Sequence, residues 1–198
     1  MTNIMNVNPY LIRYMDDQYV NAFLKEGTLM LSSIYKFTDA ELGLRQDLDE
    51  GVISYTGSGY RVCGDVEDRY LVLCSSMSFH KSARCEKTSG VLIIDLHRFV
   101  YEIIQALRES GYEVDDVFIG PCNYFGRDMC FKQKNDSLML HDKICKEDMF
   151  FSKNSDYSYE NEYRFVFKLN KNLDTRSVVV NLNPDVVHQY ACRYTFDD

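Results

Sequence analysis

Two glutamates one residue apart stand out in Tyr157-Ser158-Tyr159-Glu160-Asn161-Glu162-Tyr163-Arg164. In an extended chain such a pair shares one face. Like charges side by side on a strand are costly unless something uses them. Arg164 is read as facing the opposite way, so it does not neutralise both acids. Paired carboxylates suit acid–base work and the stabilisation of positive charge developing on a sugar. The plain structural reading is a solvated edge with two surface acids.

Two further segments carry reactive or binding groups. Cys74-Ser75-Ser76-Met77-Ser78-Phe79-His80 begins in an apolar strand and runs out into hydroxyls. Ser75, Ser76 and Ser78 are placed to offer donors at a cleft, or simply to form a Ser-rich turn. No G-x-S-x-G occurs, so there is no nucleophile elbow. Arg13 sits inside the apolar run Tyr10-Leu11-Ile12-Arg13-Tyr14-Met15. A guanidinium there needs an anionic partner or a route to water. Its fork suits a pyrophosphate or a carboxylate, and an Asp or Glu of the chain itself is the plain partner.

The remaining chemistry is thin. His80, His97, His141 and His188 show no ligand spacing. Neither a P-loop nor a G-x-G-x-x-G is present. Asp47, Asp49 and Glu50 could hold a divalent cation, as a metal-dependent nuclease would require, but the EF-hand register is absent. The seven cysteines are odd in number and include no C-x-x-C. They read as reduced thiols in a cytoplasmic protein without structural zinc.

These groups must be positioned by the elements around them. The opening reads as a strand, a helix capped by Asp16 with Tyr19, Phe23 and Leu24 on one face, a stop at Gly27, and a strand over 28–33. Residues 37–51 are polar and acidic and read as a loop. Residues 52–55 and 60–62 form a hairpin around Gly57-Ser58-Gly59. Strands follow at 70–78 and 91–95, then a helix over 96–110 with Phe99, Ile103, Ile104 and Leu107 inward, ended by Gly111. A strand over 114–124, a helical pattern over 136–151, a polar and aromatic loop over 152–159, strands at 162–169 and 177–182, and a helical turn from Asn183 complete the chain. The expectation is one α+β domain over 1–198.

Bulk properties narrow the function classes. The chain has 198 residues, 22 basic and 30 acidic, for a net charge of −8. That argues against a protein that coats nucleic acid by bulk charge. Lys81, Arg84, Lys87 and Arg98 leave residues 79–98 at +2, enough for a small phosphate-contacting patch. Residues 1–70 carry six bases and eleven acids, a net −5 that suits a protein partner. The start MTNIMNVNPY has no basic segment followed by an apolar one, which predicts no secretory leader. No apolar run approaches the ~20 residues of a membrane span.

Taken in order, an arginine on the first strand, a Ser-rich strand end and an E-x-E opening a late strand resemble the R-S-E pattern of the ADP-ribosyltransferase superfamily. The entry Ile12-Arg13-Tyr14, with Asn21, Leu24 and Gly27-Thr28-Leu29, is similar to that of its DarT-like members. The late Y-E-x-E-Y-R, Tyr159 to Arg164, also resembles a widespread uncharacterised bacterial family found near defence genes. The middle motif reads Ser75-Ser76-Met77-Ser78 in place of S-T-S. The resemblance implies a split, mixed or antiparallel β-sheet core with flanking helices. It also implies NAD as co-substrate without a metal, and a toxin or antiphage activity on a macromolecular acceptor (RNA, DNA or protein), with an antitoxin as partner.

It further implies roles. Arg13 would hold the pyrophosphate or adjoining ribose, and Tyr14 would stack on nicotinamide or a base. Ser76, with Ser75 and Ser78 as register alternatives, would support the nicotinamide ribose. Glu162 would be the main catalytic carboxylate, and Glu160 would orient or deprotonate the acceptor. Tyr157 and Tyr159 would present that acceptor. A non-catalytic interaction module of the same fold is the alternative, ahead of the nuclease.

Overall fold

The computed structural model describes residues 10–33, 52–57, 60–65, 68–80, 87–125 and 150–196. Twelve strands and three α-helices lie among them. The chain opens with β1 (Leu11–Met15), α1 (Asp17–Glu26) and β2 (Thr28–Ser33). β3 (Val52–Gly57) and β4 (Tyr60–Asp65) pair as a separate hairpin closed by Gly57 opposite Tyr60. β5 (Tyr70–Ser76), β6 (Ser89–Ile93), α2 (Leu96–Glu109), β7 (Val114–Pro121) and β8 (Asn123–Phe125) follow. β9 (Ser152–Asn154) leads through a 3-10 turn, Ser155–Glu160, into β10 (Glu162–Leu169). β11 (Ser177–Asn181), α3 (Pro184–Val187) and β12 (Ala191–Thr195) end the described chain. The protein is α+β, with a mainly antiparallel main sheet of eight strands.

The main sheet divides along one edge of β5. On one side β5 pairs with β10 over its whole length, from Glu162 opposite Ser76 to Lys168 opposite Tyr70, and β10 pairs in turn with β7. On its other side β5 meets two different strands. β2 pairs at Leu71 and Val72, and β1 pairs only at Ser76, opposite Ile12. Leu73, Cys74 and Ser75 therefore lie where the sheet splays. β11 continues from β2, and β6 and β12 continue from β1.

Apolar periodicity explains the packing. On β10, Tyr163, Phe165, Phe167 and Leu169 alternate onto the face covered by α2, where Phe99, Ile103 and Leu107 meet them. Phe99 stands edge-on to Phe165 at 5.6 Å. Each such buried ring or branched chain contributes about 1.5–3 kcal/mol. The other face holds a smaller cluster of Tyr70, Val72, Phe150 and Val166. β10 is thus covered on both faces, and any polar group on it must find its partner inside the protein.

Most of the expected elements form, with local corrections. Val20 and Phe23 are the buried residues of α1, and Tyr19 is exposed. Asp16 takes the N-cap position without a side-chain cap bond. Its carboxylate instead accepts from Lys87 Nζ at 2.6 Å. The strand expected over 114–124 breaks at Cys122 into β7 and β8, and residues 152–154 form β9, parallel to β8. β12 was not expected. Residues 37–51 and nearly all of the 136–151 pattern lie outside the described residues. No helix among the described residues is long and apolar enough to cross a membrane.

Gly27 has no room for a side chain. It caps α1 at φ +71, and its carbonyl accepts from Leu182 N at 2.9 Å. A Cβ there would lie 1.9 Å from the Leu182 carbonyl oxygen. The left-handed conformation and the backbone clash together predict that Gly27→Ala costs about 2–4 kcal/mol. Urea denaturation of the two proteins measures this, and a loss under 1 kcal/mol would contradict it.

Candidate functional site

Glu162 opens β10 opposite Ser76, the last residue of β5. Directly opposed residues share a face, so Ser76, Glu162 and Ile12 point the same way. A strand alternates, which gives Tyr14 that face too and puts Arg13 and Ser75 on the other. Arg13 nevertheless reaches the splayed edge, where its Nη1 donates to the Cys74 carbonyl at 2.6 Å. The Cys74 thiol hydrogen-bonds the Glu162 carboxylate. One residue of β5 therefore links the arginine to the acid.

Glu162 is 5% exposed, and both its carboxylate oxygens are engaged. Arg164 Nε donates to Oε1 at 2.9 Å and Nη2 to Oε2 at 3.2 Å. Lys153 Nζ donates to Oε2 at 2.7 Å. The expectation that Arg164 faces away from Glu162 is overturned. The two are two residues apart on one strand, the spacing that brings side chains to one face. Arg164 is 1% exposed, and its Nη1 donates to the Phe150 carbonyl at 2.7 Å.

Burial would push the Glu162 carboxyl up. The charges of Arg164 and Lys153, with hydrogen bonds from Arg164 and Cys74, outweigh that and hold it well below the usual carboxylate range. Burial and the neighbouring Glu162 charge push the Cys74 thiol up, so it stays protonated as a donor. A carboxyl depressed by folding contributes stability that is complete above its unfolded pKa of about 4.3 and fades as pH falls below it. The urea midpoint should therefore fall steadily from about pH 5 toward pH 2. Glu162→Gln should flatten that slope while lowering the midpoint at pH 7. An unchanged slope would show that other carboxylates govern acid stability.

Glu160 reaches the same ammonium by another route. It ends the 3-10 turn, and Asn161 then adopts φ 43, a left-handed residue that redirects the chain into β10. Asn tolerates that conformation better than most residues. The two acids are thus not on one continuous strand. Lys153 Nζ still bridges them, at 2.6 Å from Glu160 Oε2 and 2.7 Å from Glu162 Oε2. Ser76 Oγ fixes the turn by donating to the Glu160 carbonyl at 2.6 Å, and Met77 N donates to the Asn161 carbonyl at 2.9 Å.

The other candidates fall around this centre. Tyr14 Oη donates to the Ser78 carbonyl, and its ring stacks on Phe196 at 5.6 Å. Ser78 N donates to Ser76 Oγ, and Ser78 Oγ accepts from His80 N, as in a Ser-rich turn. Ser75 Oγ is buried and makes no hydrogen bond among the described residues. Tyr157 and Tyr159 lie on the 3-10 turn; Tyr159 is 41% exposed, and Lys153 Nζ stands 5.1 Å over the Tyr157 ring. Asp47, Asp49 and Glu50 lie outside the described residues. Of the basic stretch, Lys87 pairs with Asp16 and Arg98 with Glu102.

Lys153, Cys74 and Tyr124 belong to the site without having been singled out in the sequence, and Arg164 belongs to it although it is read there as facing away. Tyr124 Oη accepts from Glu162 N at 2.7 Å. Only Arg164 carried a sequence signal, its even spacing from both glutamates. Neither a family model, nor a curated protein, nor a solved structure matches this chain.

Proposed function

We propose that the chain is an NAD-dependent ADP-ribosyltransferase that modifies a macromolecular acceptor and acts as a cytoplasmic toxin or antiphage effector. The observation that carries this reading is the cross-strand pairing of Ser76 with an ionised Glu162, at the end of β5 beside the splayed edge of the sheet. Breaking the bond between ribose and nicotinamide builds positive charge on the sugar. A preorganised carboxylate stabilises that charge more in the transition state than in the ground state. Glu160, on the exposed turn with Tyr157 and Tyr159, is then the acid that orients or deprotonates the acceptor. Ser76 acts by holding the Glu160 backbone, and Arg13 takes the pyrophosphate side from the splayed edge. Ser78 borders the nicotinamide ribose, and Tyr14 offers its ring to a base.

One observation favours a second reading, a non-catalytic interaction module. Glu162 is saturated by Arg164 and Lys153, as a structural ion pair would be. The two readings separate on NAD itself. A transferase gains thermal stability with NAD by mass action and attaches label from NAD to a macromolecule in cell lysate. No rise in melting temperature and no labelled product would leave the module. Magnesium-dependent nucleic-acid cleavage abolished by a chelator would instead favour the nuclease.

A further inference from the structure

The two cations on Glu162 are held very differently. Arg164 lies on β10, hydrogen-bonded to strands on both sides, and is anchored to the Phe150 carbonyl. Lys153 lies on β9, three residues long and paired in parallel with the three residues of β8. So short a ladder opens at low cost. Arg164 already supplies Glu162 with a forked partner. The Lys153 ammonium instead sits among three groups at once: Glu160, Glu162 and the face of Tyr157.

That surround is a receptor for a cation. Two carboxylates supply charge, and an aromatic face supplies the quadrupole that attracts ammonium and pyridinium groups. With Lys153 in place, the four charged side chains (Glu160, Glu162, Arg164, Lys153) sum to zero. With it withdrawn, they sum to −1. Its side chain is 9% exposed and Glu160's is 16%, so the cage is one layer below the surface. We propose that Lys153 is an internal plug, occupying the place of a cationic ligand group between Glu160, Glu162 and Tyr157 and swinging out when that group enters. The proposal rests on the transferase reading in taking the ligand group to be the pyridinium end of NAD. The resting protein thereby keeps the acid pair neutralised and closed to water.

The experiment uses the full chain and 1-methylnicotinamide, a permanent pyridinium cation, with neutral nicotinamide as control. Lys153→Met keeps the aliphatic stem and removes the charge. It should bind 1-methylnicotinamide at least about tenfold more tightly than the wild type, a difference worth about 1.4 kcal/mol. It should show no comparable gain for nicotinamide. Lys153→Arg should keep the weak binding of the wild type. Equal affinity in Lys153→Met and wild type, or an equal gain for the neutral control, overturns the plug.

If Lys153→Met does not fold, nitrogen-detected lysine ammonium spectra of the wild type decide. The Lys153 signal, assigned by its loss in Lys153→Arg, should shift or vanish on saturation with 1-methylnicotinamide. A signal unmoved at saturation overturns the proposal. The gain for 1-methylnicotinamide with no label transfer from NAD in any variant would sink the transferase and leave the plug standing. Label transfer by the wild type without that gain would do the reverse.

Discussion

Arg164→Met is expected to lower folding stability by about 3–5 kcal/mol, because it strands a buried carboxylate beside one flexible lysine. Three losses add in one direction. Glu162 forfeits the forked bonds at 2.9 and 3.2 Å. The Phe150 carbonyl forfeits its donor at 2.7 Å. The remaining charge is left to Lys153 and the Cys74 thiol, because the apolar cluster farther along that face (Val166, Val72 and Phe150) cannot compensate it. The size of the effect does not mean that the ion pair stabilises the fold relative to an apolar core. Removing one partner exposes the desolvation cost that the pair was hiding. The double variant Glu162→Met with Arg164→Met tests this distinction. It should recover much of the loss, since no buried carboxylate is then left stranded and Lys153 keeps Glu160 as its partner. Urea titrations of the four proteins give the cycle. A single variant within 1 kcal/mol of the wild type would show that Lys153 alone can hold Glu162 ionised.

The same network shows which parts of the protein its sequence reveals. The opening was legible because three local signals agree: an apolar strand, a helix-period stretch, and a glycine at the one position where φ +71 is needed. The hairpin was legible from Gly57-Ser58-Gly59 between two apolar runs. β12 was not, because Ala191-Cys192-Arg193-Tyr194-Thr195 is largely exposed and shows no alternation of apolar residues. Its position comes from pairing with β6, a contact distant in sequence. The glutamates and Ser76 could be singled out from their types alone. Lys153 could not. Its ammonium reaches both acids only because Asn161 turns left-handed and β9 pairs with β8, and neither event leaves a mark at position 153. Arg13 shows the limit of residue type without register. An arginine on the first strand invites convergence with the serine and the acid, yet Ile12 is the residue level with Ser76. Arg13 joins the site from the edge, through the Cys74 carbonyl.

Under the transferase reading, Glu162→Gln and Glu160→Gln should fail in different ways, and the difference follows from where each acid sits. Glu162 is the more deeply buried and the one held ionised by two cations, so it is the group fit to face charge building on the ribose. Its amide keeps the shape but not the charge. Transfer of label from NAD and release of nicotinamide should both fall by about 10²–10³-fold, the loss typical for removal of one preorganised electrostatic group. Glu160, nearer the surface on the turn with Tyr159, acts on the acceptor. Its amide should cut labelling of the acceptor by about 10²-fold, as loss of a general base does, while nicotinamide release to water at saturating NAD stays within a few-fold of wild type. Both rates are read from one reaction, by following free nicotinamide and labelled macromolecule together. Glu162→Gln also weakens the ion pair, so the comparison belongs well below the lower melting temperature of the two variants. A stability defect alone lowers the amount of folded protein and scales both products equally in either variant. It cannot separate nicotinamide release from acceptor labelling in Glu160→Gln alone. If the two amides reduce both products in the same proportion, the division of labour between the acids is wrong. If Glu162→Gln retains full transfer, its carboxylate serves the fold rather than the chemistry.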